Sequence, residues 1–558
     1  MNQPLLQHFD LLATAPGGVA RLRELILTLA VQGQLVPQDP TDEPASVLLR
    51  KIRAEKDQLI ADGKIKRDKP LAPIGSEEQP YELPNSWGWV PLGSVIEIIR
   101  GITFPASEKT REPAQGRIAC LRTSNVQQSI EWGDLLFVNR SFMAREDQLV
   151  KHHDIVMSMA NSRELVGKVA LVENIPQPEA TFGGFLGVLR PIICDPRFAM
   201  LVLRTPYARA MLIDSSSQTT NIANVSLGKL RPLPFPLPPQ AEQSRIVARV
   251  EELMRLCDAL EAKGKLDAEQ HAQLVRTLLG TLTDCASPAE LAANWQRVAE
   301  HFDLLLDRPE AVDVLEQTIL QLAVRGLLLP QDPSDEPASV LLKKIRAEKD
   351  RLIAEGKIKR DKPLAPIADE EKPFKLPQGW AWARFGDVSV NRDAERVPVS
   401  SSDREKRDKI YDYYGASGVI DKIDGFLFDK TLLLIGEDGA NLLNRSTPIA
   451  FLANGKYWVN NHAHVIDATE EGFLDYLVLF INAISLEPYV TGTAQPKMNQ
   501  AKLNSIPVAL PPLEEQTHII TRVEELRQLC TDLRQRLTAS RTTQAHLAET
   551  LVEAAGTV

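Results

Sequence analysis

The chain has 558 residues, 44% of them apolar and 25% charged, with a formal net charge of −10. That length suggests roughly three or four domain-sized pieces with ordinary cores. The negative balance argues against a generic nucleic-acid coat, though it leaves room for local basic surfaces. No run of about 18 apolar residues occurs, so no membrane association is expected. The opening MNQPLLQHFD lacks a basic stretch followed by an apolar one, so no signal peptide is expected and a cytoplasmic protein fits best. The five cysteines (Cys120, Cys194, Cys257, Cys285 and Cys530) form no CxxC pair, which indicates neither a zinc site nor a disulfide framework.

The first predicted element is a helix with Leu22, Leu25, Ile26, Leu29 and Ala30 on one face. The segment DEPASVLLRKIRAEKDQLIADGK then reads as a second helix, opened by proline and closed by glycine. Its basic tail, GKIKRDKP, is either a solvated helix end or a phosphate contact. The proline- and aromatic-punctuated SEEQPYELPNSWGWV reads as a strap that seats the first insert on its helices. From Ile96 to Lys229 short strand-like runs dominate: SVIEIIRG, RIACLRTS, DLLFVN, DIVMSMA, GKVALVE and GGFLGVLRP. FAMLVLRTPYARAML is helical in pattern.

At LPPQAEQ, Pro-Pro marks the start of a long helix. Its seam runs through Ile246, Val250, Leu253, Cys257 and Leu260, weakens at Gly264 and Asp267, and resumes at Leu274 and Leu278. The opening elements then return. HFDLL recurs from His8 at His301, and Pro37–Asp57 recurs at Pro330–Asp350 with only Thr41/Ser334 and Arg50/Lys343 changed. The pairing holds at an offset of 293 residues through Trp87 and Trp380, in WGWVPLGSV and WAWARFGDV. Residues Ser389–Lys502 hold a second set of strands: YDYYGASGVI, TLLLIGEDGA, PIAFLANGKYWV and HAHVIDA. The helix-patterned EGFLDYLVLFINAI comes after them. Leu503–Leu533 then repeats Leu230–Leu260 at an offset of 273, with a seam at Ile519, Val523, Leu526, Cys530, Leu533, Leu537, Ser540, Gln544, Leu547 and Leu551. Cys257 and Cys530 occupy equivalent positions and read as small core residues.

The layout is therefore A–X–B–A–Y–B, with A and B kept alike and X and Y divergent. Alike blocks imply one structure or one partner surface served twice. Unlike inserts imply two different ligands, or two halves of one. No phosphate-binding GxxxxGK[ST] loop appears, nor an Asn-Pro-Pro-aromatic or Asp-Pro-Pro-aromatic sequence, nor a glycine-rich strand-turn-helix for S-adenosylmethionine. His152–Asp154 has no partner spacing for a metal. The adjacent Glu437 and Asp438 of IGEDGAN suit a turn or a contacting loop better than a metal site. A chain that performs no chemistry itself is expected.

The A–X–B–A–Y–B order, the LPPxxEQ helix starts and the WxWxxxGxV segments at Trp87 and Trp380 together resemble the specificity (S) subunit of type I restriction-modification enzymes, over essentially the whole chain. YYGASGVID, LLIGEDGAN and GTAQPKMNQAKL are likewise similar to target-recognition segments of that family. The resemblance implies an α+β fold: two β-rich mixed α/β target-recognition domains separated by long antiparallel coiled-coil helices, with an internal pseudo-twofold. The expected layout is 1–95 helical repeat and strap, 96–229 first recognition domain, 230–388 central helical region, 389–502 second recognition domain, and 503–558 C-terminal helix.

It also implies a non-catalytic chain that reads one half of a split site in double-stranded DNA with each domain. Two methylation (M) subunits would dock on the helices and methylate adenine N6, and restriction (R) subunits would add cleavage. S-adenosylmethionine, ATP and magnesium would belong to those partners. The candidate DNA contacts are polar loop residues of the kinds that meet phosphates and base edges. In the first insert they are Arg100, Thr103, Lys109, Arg122, Ser124, Asn125, Asn161, Arg163, Gln218 and Asn221. In the second they are Asn391, Arg392, Arg396, Ser417, Asn441, Gln495, Lys497 and Asn499. The rival readings are a specificity chain of another DNA methylation system and a coiled-coil scaffold with no DNA role.

Overall fold

A computed structural model describes residues 8–556 apart from 68, 163–164, 215–216, 220–221, 286, 361, 471 and 493–494. The chain forms two compact units, Met1–Leu266 with Arg541–Val558, and Asp267–Ser540.

In the first unit the helices Gly18–Val31 and Ala45–Ala61 form where the apolar spacing predicts them. Pro44 precedes the second helix in extended conformation, and Gly63 ends it at φ 69°. The Gly63 N–H donates to the Ile60 carbonyl and the Lys64 N–H to the Leu59 carbonyl. This pair of closing bonds needs a left-handed residue, hence glycine. Gly356 ends the helix Ala338–Ala354 of the second unit in the same way, through Ile353 and Leu352.

The single apolar face expected for Gly18–Val31 divides in two. Leu22, Ile26 and Ala30 share a core with Ile246, Val250 and Cys257. Leu25 turns to a separate cluster with Leu12, Ala15, Ala548, Val552 and Ala555, and Leu29 packs against it. The helix is covered on two sides because two long helices contribute to this unit.

Those long helices, Gln240–Thr283 and Leu513–Gly556, have 44 residues each. At ~1.5 Å per residue each spans roughly 66 Å. The first starts in the first unit and ends in the second, and the other makes the reverse passage. Ile246, Val250, Cys257, Ile519, Val523 and Cys530 are each at most 4% exposed, as the four-three seam requires. Farther along, the buried face advances by one residue. Val275, Leu279 and Leu282 are buried whereas Leu274 is half exposed, so the seam does not resume at Leu274. Ala548, Val552 and Ala555 repeat this 273 residues later, with Leu547 half exposed. Each helix leaves one set of packing partners and takes another. The new partners set its buried face, in place of a sustained heptad.

The first insert holds a four-stranded antiparallel sheet in the order Ile96–Arg100, Leu186–Pro191, Ile155–Ser158, Val169–Leu171. A three-stranded sheet lies beside it, with Arg117–Leu121 between Leu136–Asn139 and the parallel Ala180–Phe182. Alternation along the strands sorts the side chains. Ile99, Val156, Ala170 and Val188 face the core shared with Leu121 and Phe182. Ile98, Ile155, Met157, Val169 and Leu189 face Phe198 and the helices. Burial on both faces is why these strands read as nearly continuous apolar runs.

The second insert has two four-stranded sheets. Leu432–Gly436 lies between Ala450–Ala453 and Ala463–Asp467, and Tyr411–Gly415 pairs in parallel with Lys456–Val459. Leu433 and Ile435 face the helical core, while Leu432 and Leu434 face the other sheet's cluster.

Each insert is closed at its neck by a two-stranded ribbon. Gly88–Pro91 pairs antiparallel with Pro234–Leu237, and Ala381–Arg384 with Pro507–Leu510. The proline-rich strands carry no strand pattern in sequence. A ribbon tolerates them because proline need donate no ladder bond at an edge. Lys56 Nζ donates to the Gly93 carbonyl at 2.7 Å, and Lys349 Nζ to the Gly386 carbonyl at 2.6 Å. These bonds tie each repeated helix to its neck.

Candidate nucleic-acid interface

In the first insert Arg100, Thr103, Lys109 and Ser124 are exposed, Arg100 at the end of its strand, Thr103 and Lys109 in loops and Ser124 in the 3-10 turn Thr123–Asn125. Their neighbours turn inward. Arg122 Nη2 donates to the Asp134 carbonyl and carboxylate at 2.7 and 2.6 Å. Asn125 is 3% exposed; it accepts from the Arg122 N–H and donates to the carbonyls of Glu131 and Asp134. Both amide hydrogens and the amide oxygen of Asn125 thus hold the turn. Asn161 accepts from the Ser162 N–H, and its strand pairs with Ile222–Asn224. Arg163, Asn221 and the side chain of Gln218 lie outside the described residues.

The second insert shows the same division. Ser417 is exposed in the turn between Tyr411–Gly415 and Gly418–Ile423, and Gln495 is exposed. Asn391 accepts from the Asp393 N–H at 2.9 Å. Arg392 pairs with Asp467 at 2.7 Å and Glu395 at 3.0 Å. The Asn441 carbonyl oxygen accepts from Ser446 and Thr447, bracing its loop. Asn499 caps the helix Gln500–Ser505 by accepting from the Lys502 N–H. Arg396 is partly buried, with bonds to Glu437 at 2.8 Å and the Ala463 carbonyl at 2.6 Å. It braces the loop from within through Glu437.

Arg396 belongs to a network that draws four chain segments together. His464, 1% exposed, has Nδ1 at 2.6 Å from Asp393 Oδ2 and Nε2 at 2.8 Å from the Met498 carbonyl. The ring is thus held at both nitrogens, between the Asp393 carboxylate and the Met498 carbonyl. Burial alone would raise the Asp393 carboxyl, but the His464 bond and charge, with Arg396, hold it below the usual carboxylate range. Glu437 is likewise held low against burial by Arg396, His464 and Lys497. Lys497 reaches Glu437 at 3.2 Å, and Asp438 meets His462 at 2.7 Å. Main-chain bonds zip the same loops: Met498 N–H to the Glu437 carbonyl, and Gly439 N–H to the Pro496 carbonyl. Gly439 stands at φ 102°, a conformation glycine permits.

The Asp154 of His152–Asp154 is 1% exposed and bidentate to Arg190 at 2.7 and 2.8 Å. Among the described residues no group of three or more His, Cys, Asp or Glu is arranged to hold a metal ion. Among them, too, no helix is long and apolar enough to cross a membrane. The loops thus present exposed hydrogen-bonding groups on a braced base, an arrangement suited to reading a surface.

The model of the type I restriction modification DNA specificity domain matches residues 84–270 and 377–540, one insert with its neck in each. The type I restriction enzyme EcoEI specificity subunit of Escherichia coli is 36% identical over 96% of this chain and 94% of that subunit. The EcoAI specificity subunit, also of Escherichia coli, is 35% identical over the same shares, 96% and 94%. The crystal structure of the HsdS subunit from Thermoanaerobacter tengcongensis is 18% identical, covering 86% of this chain and 98% of that one at a TM-score of 0.37. The chain belongs to the family of type I restriction-modification specificity subunits. It is a non-catalytic, DNA-specifying chain of that family.

Proposed function

We propose that this chain reads a two-part, asymmetric site in double-stranded DNA, one insert per half, and holds a methylation subunit at each half. The observation that carries this reading is the pairing of two matched necks, each with its own helix tie, with two unlike sets of loops. A common mount with different readers is what a split target requires. Half-sites presented on one face of the duplex lie about one helical turn, ~10 bp, apart. The readers are 96–229 and 389–502, carried by the helical segments 1–95, 230–388 and 503–558. The exposed members of the loop sets, Arg100, Thr103, Lys109 and Ser124 in one and Ser417, Gln495, Lys497 and Asn499 in the other, supply the contacts.

The complex works in the cytoplasm. S-adenosylmethionine sits on the methylation subunits, which transfer methyl groups to adenine N6. Restriction subunits bring ATP and magnesium for cleavage of unmodified DNA. The test is to express the chain with its methylation partner and map methylated adenines across genomic DNA. A single interrupted motif is expected; methylation without sequence selection would overturn the reading.

A further inference from the structure

The basic tail GKIKRDKP, present in both repeats, has a defined place in the fold. In the second unit Lys359, Arg360 and Lys362 line a cleft of about 410 Å³ together with Arg346 and Lys349. In the first unit Lys66 lines the equivalent cleft, of about 210 Å³, with Lys56, Arg100, Arg145 and Arg231. The correspondence is positional: Lys56 and Lys349, Ile60 and Ile353, and Lys66 and Lys359 sit 293 residues apart, and Arg231 and Asn504 sit 273 apart. Each cleft lies between a repeated helix, its basic tail and the base of a recognition domain.

Charge is concentrated there against the balance of the chain. Each cleft has five basic residues and two acidic ones, Glu97 and Asp147 in the first and Asp350 and Asp387 in the second, while the chain as a whole carries −10. Lys66, Arg100, Arg346, Lys359, Arg360 and Lys362 are exposed, and none has an ion-pair partner among the described residues. Structural work falls to other cations, since Lys56 and Lys349 bond the neck carbonyls. Unpaired cations held together on a predominantly acidic protein are unfavourable to one another unless a polyanion neutralises them.

We propose that the two clefts are a matched pair of sequence-independent grips on the DNA sugar-phosphate backbone, one beside each recognition domain. The grips are alike because the backbone is the same whatever bases each domain reads. This rests on the DNA-reading function proposed above. It adds that part of the affinity comes from the repeated helix and its basic tail, which in the first cleft act together with Arg100 and Arg145 at the base of the reader.

The test uses the full chain in complex with its methylation subunit. Binding to a duplex carrying the mapped site, and to a duplex with that site scrambled, is followed across a salt series. The variants are Lys359→Ala/Arg360→Ala/Lys362→Ala for one cleft and Lys66→Ala for the other, with Lys359→Arg/Lys362→Arg as a charge-retaining control. Affinity for both duplexes is expected to fall on the order of tenfold, with the salt slope shallower by about 0.9 for each phosphate no longer neutralised. The ratio between the duplexes and the methylated motif stay unchanged, and the control binds as the unaltered complex does. Unchanged affinity and slope would overturn the proposal, as would a changed ratio, which would make the cleft a base reader. Loss of the methylation subunit from the complex would assign the cleft to a protein partner and also overturn it. Failure of the unaltered complex to select its site would count against the DNA-reading function itself.

Discussion

The Trp87 indole Nε1 donates to Glu242 Oε2 at 2.9 Å, and 293 and 273 residues later Trp380 donates to Glu515 Oε2 at 2.8 Å. The tryptophan comes from the WxW segment and the glutamate from LPPxxEQ, so two motifs far apart in sequence form one clasp. Gln38 and Gln331 donate to the other carboxylate oxygen, at 2.6 and 3.4 Å. The adjacent Gln243 and Gln516 each donate to the first proline carbonyl of their motif at 3.0 Å. The clasp fastens the chain entering each recognition domain to the helix leaving it.

Replacing Trp87 with Phe keeps the ring's apolar bulk and removes the donor to a buried carboxylate. The expected cost is about 1–3 kcal/mol, seen as a lower denaturant midpoint. Trp380→Phe gives the same result in the second unit. Gly33→Ala attacks the clasp from behind. Gly33 lies at φ 74°, and an added Cβ would come within 2.5 Å of Pro84 and 3.2 Å of Trp87.

Burial pushes the carboxyls of Glu242 and Glu515 up, only partly offset by their indole and amide donors. A folded-state pKa above the unfolded one stabilises the fold below the unfolded value, and this is lost as pH rises through the folded one. Glu242→Gln is therefore expected to flatten the fall in stability between acid and neutral pH. Urea titrations at several pH values measure the slope.

The Asp393–His464 pair has the opposite sign. Its depressed carboxyl contributes stability above the unfolded value of about 4, lost as pH falls through the folded value. Asp393→Asn removes the carboxylate that His464 Nδ1 and Arg396 face in this buried network. The expected cost at neutral pH is about 3–5 kcal/mol. Hydrogen exchange is expected to rise first in the loops around 437–441 and 491–498, which the network braces.

The end of the second long helix completes the first unit's core. Leu12, 0% exposed, packs with Ala548, Val552 and Ala555. Leu12→Ala is expected to cost about 2–5 kcal/mol. Truncation after Ser540 is expected to expose helix Gly18–Val31 to proteolysis while leaving the core around Phe480 protected.

Much of the framework was legible in the sequence. Residues such as Ile246, Val250 and Cys257 carry their burial in their spacing, and Gly63 and Pro44 mark helix ends by their own backbone limits. The strand Pro234–Leu237 was hidden because its prolines contradict strand propensity, and only pairing with Gly88–Pro91 makes it a strand. Leu274 misled because the helix changes partners near Gly264, which no local pattern records. The loop residues were least legible. Asn125, Arg396 and exposed Lys497 are all polar loop residues in sequence. Whether each points in or out depends on Asp134 and Glu437, brought near only by the fold.

The central claim is that specificity lies in the unlike inserts and assembly in the repeated scaffold. Its most direct test exchanges only Ile96–Lys229 for the corresponding insert of a relative with a different target, with genome-wide mapping of methylated adenines as the readout. One half of the motif is expected to change while the other half and the spacing between them stay as they were. A change in both halves would contradict the division of labour.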